Sequence, residues 1–485
     1  MRRALLSLFA LSLACGAPSA KTPPMPPLDA PVAMRTTPDD PMREHAPEVA
    51  GEARATAPKV VERKLPNGIR VLFVERHHVP ALSIRVISDR GADQADSGIG
   101  ELWTRAVLRA STEHQWWDVN DALNDLGIEW RARVAPDWSE LQFEVLSKLA
   151  EPAIDWLGEL ICKPAFLNKF LERGRQRLDA DLHIYQTQAA GQLELLVHRT
   201  FFPVGHRYHW PSIAPENLYR IELPLLEAYH RLAFTPAHMT IVVAGDEQID
   251  TLYPMLVRAF GGLAGPTIGA QAPPPAPPAL ADEPRFIVID APQETQAHVA
   301  FAWLGPPRYS EGFVALGLAI EELSDAMLAK LRREKSVTYG VHSAAPLGRG
   351  HKPITFETAL DDDRVGEAVS DVMKIVKSRA VEPISAASLA DLRGQFLFQG
   401  FETLPGTTAS IARLPIYARP LDWYDKAEGR LAAVSPEDVR VAFERHLPFD
   451  RMRVLVVGNA AKISPQLSAL GAGTVQVRKR IVMLP

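Results

Sequence analysis

The sequence predicts a layered α/β protein made of two similar lobes, each a β-sheet packed with helices. Both halves of the chain begin with β-rich sequence, continue with long helical stretches and end on a strand that closes with a glycine. This alternation of strands and helices indicates helices packed on the face of a sheet. The predicted strands are residues 70–74, 82–87 and 240–245 in the first half and residues 286–289, 298–303 and 453–458 in the second.

The size and charge of the chain agree with two lobes. At 485 residues and 47% hydrophobic content, it is long enough for at least two large domains. Its formal net charge of −5, with both signs interspersed, is not the electrostatic pattern of a nucleic-acid-binding protein. A proline-rich stretch near the middle of the chain indicates an extended linker. We therefore expect an N-terminal lobe at residues 56–264, a linker at 265–284 and a C-terminal lobe at 285–485.

The N-terminus is typical of an exported bacterial protein. A basic start is followed by an apolar run, residues 4–14, which is too short to span a bilayer and therefore indicates a cleaved signal. Residues 12–15 (Ser-Leu-Ala-Cys) resemble a lipobox, although Ser12 stands where leucine is commonest. In that interpretation residues 1–15 carry the lipoprotein signal, and Cys15 is the lipidated first residue of the mature protein. The alternative is an ordinary signal cleaved near Ala20.

The residues that follow the signal predict a tether on the periplasmic side of a membrane. Residues 16–55 are rich in proline, alanine and charge, and such a composition predicts a disordered, semi-rigid segment. Gly16 after the cysteine resembles lipoproteins that are released to the outer membrane, so we expect a lipid-anchored periplasmic protein there. The only other cysteine is Cys162, so no intramolecular disulfide is expected in the mature chain.

Three helices bear on function. The first is predicted at residues 99–110, starting at Gly98 with Ser97 as a plausible cap, and the second at 118–126. The third is a long helix at residues 313–334, with apolar residues along one side. Its last turn contains Arg332, and Tyr339 is expected on the strand that follows.

Seven short segments of the chain follow one another in the order and spacing of a single enzyme family. They are residues 65–72 (Leu-Pro-Asn-Gly-Ile-Arg-Val-Leu), 80–91, 98–108 (Gly-Ile-Gly-Glu-Leu-Trp-Thr-Arg-Ala-Val-Leu), 123–127, 163–166, 234–246 and 331–341 (Leu-Arg-Arg-Glu-Lys-Ser-Val-Thr-Tyr-Gly-Val). Together they resemble the insulinase/pitrilysin-type peptidases, in the two-lobe branch that includes the processing peptidases. This resemblance implies two homologous lobes that face each other like a clamshell, with the substrate between them.

Residues 98–108 depart from the zinc motif that the resemblance implies. In the intact His-x-x-Glu-His motif two imidazoles hold Zn²⁺ and a glutamate takes a proton from the metal-bound water. Here the histidine positions are Glu101 and Arg105, the base position is Thr104, and the usual third ligand falls on Asp181. A guanidinium cannot ligate a cation, and a threonine hydroxyl is not a general base near neutral pH. We expect instead an ion pair between Arg105 and Asp181, with no metal bound by this chain.

The C-terminal half keeps a second feature of the family, the pair Arg332 and Tyr339. The resemblance implies that this pair contacts the peptide backbone or the tetrahedral intermediate at the zinc of an active site. A guanidinium and a phenol O–H are both donors suited to a developing oxyanion. The alternative is structural: an arginine favoured by the helix dipole at a helix C-terminus and a tyrosine that fills a strand.

The resulting hypothesis is a non-catalytic subunit of a heteromeric zinc metallopeptidase. The partner subunit would carry the intact motif and the zinc, the substrate would be an extended peptide, and nucleic acid would not be a ligand. Two alternatives stay open: a stand-alone peptide-binding or scaffold lipoprotein, and a weak metallopeptidase whose metal is held by Glu101 and Asp181. Another pair with metal-ligand spacing, His206 and His209, lies in a predicted loop and is interpreted as structural.

Overall fold

The computed structural model describes residues 57–92, 98–203, 206–209, 215–265, 284–346, 348–396 and 400–482. The signal segment with Cys15, the tether, the helix cap Ser97 and most of the linker lie outside the described residues. Within the described part of the chain, no helix has the length and apolar character needed to cross a membrane.

The first half of the chain forms six strands and eight α-helices in its described residues. The strands are β1 (Val61–Lys64), β2 (Arg70–Glu75), β3 (Ala81–Ser88), β4 (Glu129–Ala135), β5 (Trp138–Leu146) and β6 (Met239–Gly245). The helices are α1 (Ile99–Ala106), α2 (Trp116–Asp125), α3 (Ala150–Cys162), α4 (Asn168–Thr187), α5 (Ala189–Phe201), α6 (Pro215–Leu218), α7 (Leu223–Ala233) and α8 (Ile249–Phe260).

The second half repeats this plan with six strands and seven α-helices among its described residues. The strands are β7 (Phe286–Asp290), β8 (Ala297–Leu304), β9 (His342–Ala344), β10 (Pro353–Leu360), β11 (Arg453–Gly458) and β12 (Val475–Arg478). The helices are α9 (Phe313–Leu328), α10 (Val365–Arg379), α11 (Ala386–Phe396), α12 (Leu404–Ile416), α13 (Ala427–Ala432), α14 (Pro436–His446) and α15 (Ala460–Ala469).

The strands form two six-stranded sheets of matching order, which confirms the predicted fold class. The orders are β1-β2-β6-β3-β5-β4 and β12-β7-β11-β8-β10-β9. In each sheet the strand that ends in glycine is central, with a parallel neighbour on one side and an antiparallel neighbour on the other. These central strands, β6 and β11, are apolar and almost wholly buried, as expected for strands that are covered on both faces. The sheets differ at one edge, where β1 is antiparallel to β2 but β12 is parallel to β7.

Each half of the chain contributes a helix that covers the sheet of the other half. Helix α5 places Leu193 and Val197 in a buried cluster with residues of the second sheet such as Val457. Helix α12 places Ile411 and Leu414 in a cluster with residues of the first sheet. Because these helices cross between the lobes, burial of their apolar faces holds the two halves of the clamshell together.

The helix at the altered motif is shorter than predicted. Helix α1 ends at Ala106, and the chain turns at Leu108, whose φ of 60° is incompatible with continued helix. At the other end the cap is Gly98, with a left-handed φ of 90° and no side-chain hydrogen bond. The prediction of a helix to residue 110 was therefore wrong, because apolar periodicity continues through a turn that itself packs in the core.

The long helix of the second half also ends differently from the prediction. Its α-helical part stops at Leu328 and continues as a π-helical segment, Ala329–Glu334, which contains Arg332. The chain then turns through Ser336, which has a φ of 51°. Strand β9 begins only at His342, so Tyr339 lies in the loop before it, and its predicted place on a strand was wrong. Local π-helical geometry of this kind is frequent at functional sites.

Candidate functional site

Helix α1 is fixed by a buried tryptophan on the side opposite the altered motif. Trp103 is fully buried, stacks on Phe234 with ring centroids 5.3 Å apart and donates from Nε1 to Nδ1 of His230 at 3.1 Å. His230 Nε2 in turn donates to the carbonyl oxygen of Ile161 at 2.8 Å. Residues 101, 104 and 105 lie three and four positions apart on α1 and therefore share another face of the helix.

An ion pair occupies two of the positions where the intact motif would have zinc ligands. Arg105 Nη2 lies 2.6 Å from Asp181 Oδ2, and Arg105 Nη1 donates to the carbonyl oxygen of Glu101 at 3.3 Å. Thr104 Oγ1 donates to the same carbonyl at 2.7 Å. Helices α1 and α4 can approach this closely because a Cβ at Gly174 would lie only 3.2 Å from Arg105 Cβ. The ion pair expected from the sequence is thus present in the structure.

This set of side chains does not fit a zinc ion. The guanidinium of Arg105 lies against the carboxylate of Asp181 and carries a positive charge. A zinc ion there would need ligand atoms with lone pairs, and a guanidinium has none to offer. The hydroxyl of Thr104 donates to a backbone carbonyl, and a threonine hydroxyl is not a general base near neutral pH. Among the residues that the structure describes, no group of three or more His, Cys, Asp or Glu side chains is placed to hold a metal ion.

The altered motif faces a cavity of about 710 Å³ that both lobes line, here called the interlobe cavity. From the N-terminal half it is lined by Glu101, Arg105 and Asp181 and by residues of α5. From the C-terminal half it is lined by residues of β9 and β10 and of the segment between them. Its volume is in the range of ligand-binding clefts. Its position between the two lobes agrees with the expected clamshell arrangement.

The interlobe cavity contains carboxyl groups that the sequence did not single out. Burial, together with the negative charge of Glu357, raises the pKa of Glu194. Burial, with the negative charges of Glu194 and Asp181, likewise raises the pKa of Tyr185. Glu357 accepts a hydrogen bond from Thr355 Oγ1 at 3.1 Å. No spacing in the sequence could indicate these neighbours, because Glu194 and Glu357 come from different halves of the chain.

Arg332 and Tyr339 do not belong to the wall of this cavity as the described residues define it. Tyr339 is 89% exposed, and Arg332 is also exposed on the π-helical segment. Neither side chain forms a hydrogen bond or an ion pair with another residue in the described part of the chain. The structure therefore places Arg105 and Asp181 together, with Glu101 beside them, and leaves Arg332 and Tyr339 on an open surface.

Other reactive side chains of the chain have structural environments. His209 Nδ1 lies 2.8 Å from the carbonyl oxygen of Phe202, and the ring of His206 stacks on that of Phe202 with centroids 4.8 Å apart. Burial raises the pKa of Cys162 to about 11, which keeps it a thiol near neutral pH. These contacts agree with the structural interpretation of the two histidines and give Cys162 no role as a nucleophile.

Comparison with known proteins finds relatives in one family of peptidases. The family described as the peptidase M16 inactive domain matches residues 220–396, from the loop before α7 to the end of α11. An uncharacterized zinc protease of Mycobacterium leprae is 21% identical over 368 residues, which are 73% of this chain and 81% of that protein. Over these residues the chain is similar to the M16 peptidases. M16 is the insulinase/pitrilysin type, so the resemblance drawn from the sequence is confirmed.

Solved structures show the same fold. The crystal structure of a peptidase M16 inactive domain from Pseudomonas fluorescens has a TM-score of 0.75 at 19% identity, covering 87% of this chain and 100% of that one. A protease from Helicobacter pylori has a TM-score of 0.72 at 15% identity and covers 83% and 100%. The periplasmic protease PqqL from Escherichia coli has a TM-score of 0.69 at 16% identity, and the match covers 83% of this chain but 46% of PqqL. The family match is to the inactive domain, which supports a non-catalytic, degenerate M16 homologue.

Proposed function

We propose that this M16 chain is the non-catalytic subunit of a heteromeric zinc metallopeptidase, and that it contributes substrate binding and transition-state contacts to a partner with an intact motif. The observation that carries the proposal is the ion pair between Arg105 and Asp181 at the wall of an intact interlobe cavity. The cavity is large enough for a ligand although the neighbouring side chains do not suit zinc. This combination favours a protein that still binds peptide over one that has lost all function.

Arg332 and Tyr339 are the donors that we assign to the partner's reaction. Both side chains are exposed, so a second protein or a bound peptide can reach them. A guanidinium and a phenol that are aimed at a developing oxyanion stabilise the transition state more than the ground state. Neither residue would ligate the metal, which the partner alone would hold.

Strand β4 is the place on this chain that suits an extended peptide. It is the last strand of the first sheet, and the structure shows no described strand paired with its outer side. A peptide that adds to such an edge gains main-chain hydrogen bonds along its whole length. Because β4 also contacts α1, a peptide bound there would pass beside the altered motif.

We further propose that the protein acts in the bacterial periplasm, anchored by lipid at Cys15 to the outer membrane. Gly16, directly after the cysteine, is the residue that favours release to the outer membrane. The support is the signal-like N-terminus and the description of one structural relative, PqqL, as a periplasmic protease. Labelling of cells with a fatty-acid analogue, compared between the wild type and Cys15→Ser, would reveal the anchor directly.

The decisive experiment compares the purified chain with the chain mixed with an M16 subunit of the same organism that has the intact motif. We expect no bound zinc and no peptide cleavage from this chain alone, and higher turnover by the mixture than by the partner alone. Chelator-sensitive cleavage by the isolated chain would instead support a weak metallopeptidase that uses Glu101 and Asp181. A chain that stays monomeric in the presence of the partner, with no change in turnover, would leave a stand-alone binding protein.

A further inference from the structure

A second cleft, separate from the interlobe cavity, lies on the other side of Arg105 and is strongly basic. It has a volume of about 510 Å³ and is here called the basic cleft. Six arginines from α1 and the turn after it, from β4 and from α4 line it, and none of its described lining residues is Asp or Glu. The arginines are Arg105, Arg109, Arg131, Arg133, Arg173 and Arg177.

These positive charges repel one another. Arg173 and Arg177 are four positions apart on α4, a spacing at which like charges destabilise a helix. Burial lowers the pKa of Arg109, and the positive charges of Arg173 and Arg177 lower it further. Burial and Arg173 likewise lower the pKa of Lys169, one more turn along the same face of α4. An anion that binds between these charges would reduce their mutual repulsion.

Little in the described part of the chain neutralises these groups. Of the six arginines, only Arg105 forms an ion pair with a described carboxylate, that of Asp181. Arg109 is instead held by aromatic rings, with its guanidinium carbon 4.7 Å from the centroid of Trp130 and 5.4 Å from that of Phe170. Stacking of this kind fixes a guanidinium in position while its outer N–H groups stay available to a ligand.

The shape of the cleft favours an extended ligand over a small ion. Two of its arginines, Arg131 and Arg133, lie on β4, whose outer side is an open sheet edge among the described residues. The other four come from α1, from the turn after it and from α4, so several elements contribute positive charge to the cleft beside this edge. A strand that pairs with β4 presents side chains at every second residue, which lets several carboxylates reach different arginines.

We propose that the basic cleft binds an extended, acidic peptide segment, which adds as a strand to the outer edge of β4 and places its carboxylates against the arginines. This inference rests on the peptide-binding part of the proposed function and names the class of peptide. It needs neither the partner subunit nor zinc, because every group involved belongs to this chain.

The test measures binding of fluorescein-labelled peptides to the isolated full chain by fluorescence anisotropy. The probes are an alternating Glu/Val peptide and matched peptides in which Gln or Lys replaces each Glu. We expect the Glu peptide to bind most tightly and to weaken as salt is raised. In the double variant Arg173→Gln/Arg177→Gln its Kd should rise about 10-fold, since two exposed charge contacts are lost. The control Lys148→Gln/Arg231→Gln, which removes two exposed charges elsewhere on the same lobe, should leave the Kd unchanged.

Hydrogen exchange and competing anions decide how the ligand binds. The Glu peptide should slow amide exchange across Glu129–Ala135, whereas inorganic pyrophosphate and vesicles of anionic phospholipid should not displace it at matched charge concentration. Equal binding of the Gln peptide, displacement by either competitor, or binding without protection of β4 would overturn the inference. If the chain binds acidic peptides but has no effect on a peptidase partner, the acidic-peptide inference is retained and the proposed function is overturned. If the chain stimulates proteolysis by the partner but has no preference for acidic peptides, the proposed function is retained and the inference is overturned.

Discussion

Arg105 and Asp181 show how exposure sets the strength of an ion pair. The Arg105 side chain is 26% exposed and that of Asp181 is 46% exposed, so water still solvates both groups. The pair therefore lies closer to surface salt bridges, which contribute roughly 0–1 kcal/mol, than to buried ones, whose disruption costs about 3–5 kcal/mol. We therefore expect the pair to contribute little to the stability of the fold.

We predict a small and non-additive loss of stability when this pair is removed. Arg105→Met should lower the free energy of unfolding by about 1 kcal/mol, and adding Asp181→Leu should cost less than the sum of the two single variants. Denaturant unfolding measures all three variants. The control is Arg258 with Asp155, a surface pair 2.8 Å apart whose arginine is more exposed than Arg105 and also contacts Glu151, and there we expect smaller effects. Strictly additive losses for Arg105 and Asp181 would mean that the two side chains do not interact in solution.

At the scale of elements, helix α1 is held by a neutral histidine. His230 accepts a hydrogen bond from Trp103 at one ring nitrogen and donates one to Ile161 from the other, an arrangement that only the neutral ring satisfies. Burial lowers its pKa to about 4. Protonation of His230 would disrupt the contacts that hold α1, so the stability of this part of the fold depends on pH.

This linkage predicts a loss of stability in mild acid. Between pH 6.5 and about 4 the unfolded chain binds a proton at His230 that the folded chain does not, so the free energy of unfolding falls as pH is lowered through that window. The loss from this group should reach up to about 3 kcal/mol at pH 4. In His230→Gln stability should be lower at pH 7 and less dependent on pH, whereas exposed His183→Gln should keep the wild-type slope. Identical slopes for wild type and His230→Gln would contradict this account.

The central strands were predicted more accurately from the sequence than the helix ends, and the difference has a physical cause. The central strands of both sheets were found within a residue or two, since their apolar runs are bounded by clear turns. Helix ends were missed where the chain turns inside the core, as at Leu108, because burial continues after the helix stops. The ion pair of Arg105 was predicted from the family motif, whereas the proximity of Glu194 to Glu357 depends on packing between distant parts of the chain. The basic cleft had a signal that was overlooked, the alternation of Arg131 and Arg133 and the helical spacing of Arg173 and Arg177.

At the scale of the whole molecule, the lobes are joined by a buried charge network as well as by α5 and α12. Arg85 Nη1 on β3 lies 2.6 Å from Glu140 Oε1, and Arg413 Nη1 on α12 lies 3.0 Å from Glu140 Oε2. Both Arg85 and Glu140 are at most 2% exposed. The carboxylate of one lobe thus neutralises a cation on a helix that comes from the other.

We predict that Glu140→Gln destabilises the protein strongly. The change leaves two guanidiniums without their counter-ion in a buried site, which should cost about 3–5 kcal/mol. Thermal unfolding with limited proteolysis would locate the effect, and cleavage should increase on both sides of α12 as this helix detaches. Glu144→Gln on the same strand is the control and should be nearly neutral, because Glu144 is only partly buried. A loss below about 1 kcal/mol for Glu140→Gln would show that the network does not join the lobes.

We propose that this chain supplies oxyanion donors to a partner's active site, and the turnover of the assembled complex tests this most directly. Arg332→Ala or Tyr339→Phe should lower kcat by about 10²–10³-fold, the effect of losing one oxyanion donor, with KM, assembly and zinc content unchanged. Arg333→Ala, which removes a neighbouring exposed arginine, should keep wild-type turnover. Full activity of the double variant Arg332→Ala/Tyr339→Phe in an intact complex would contradict the claim.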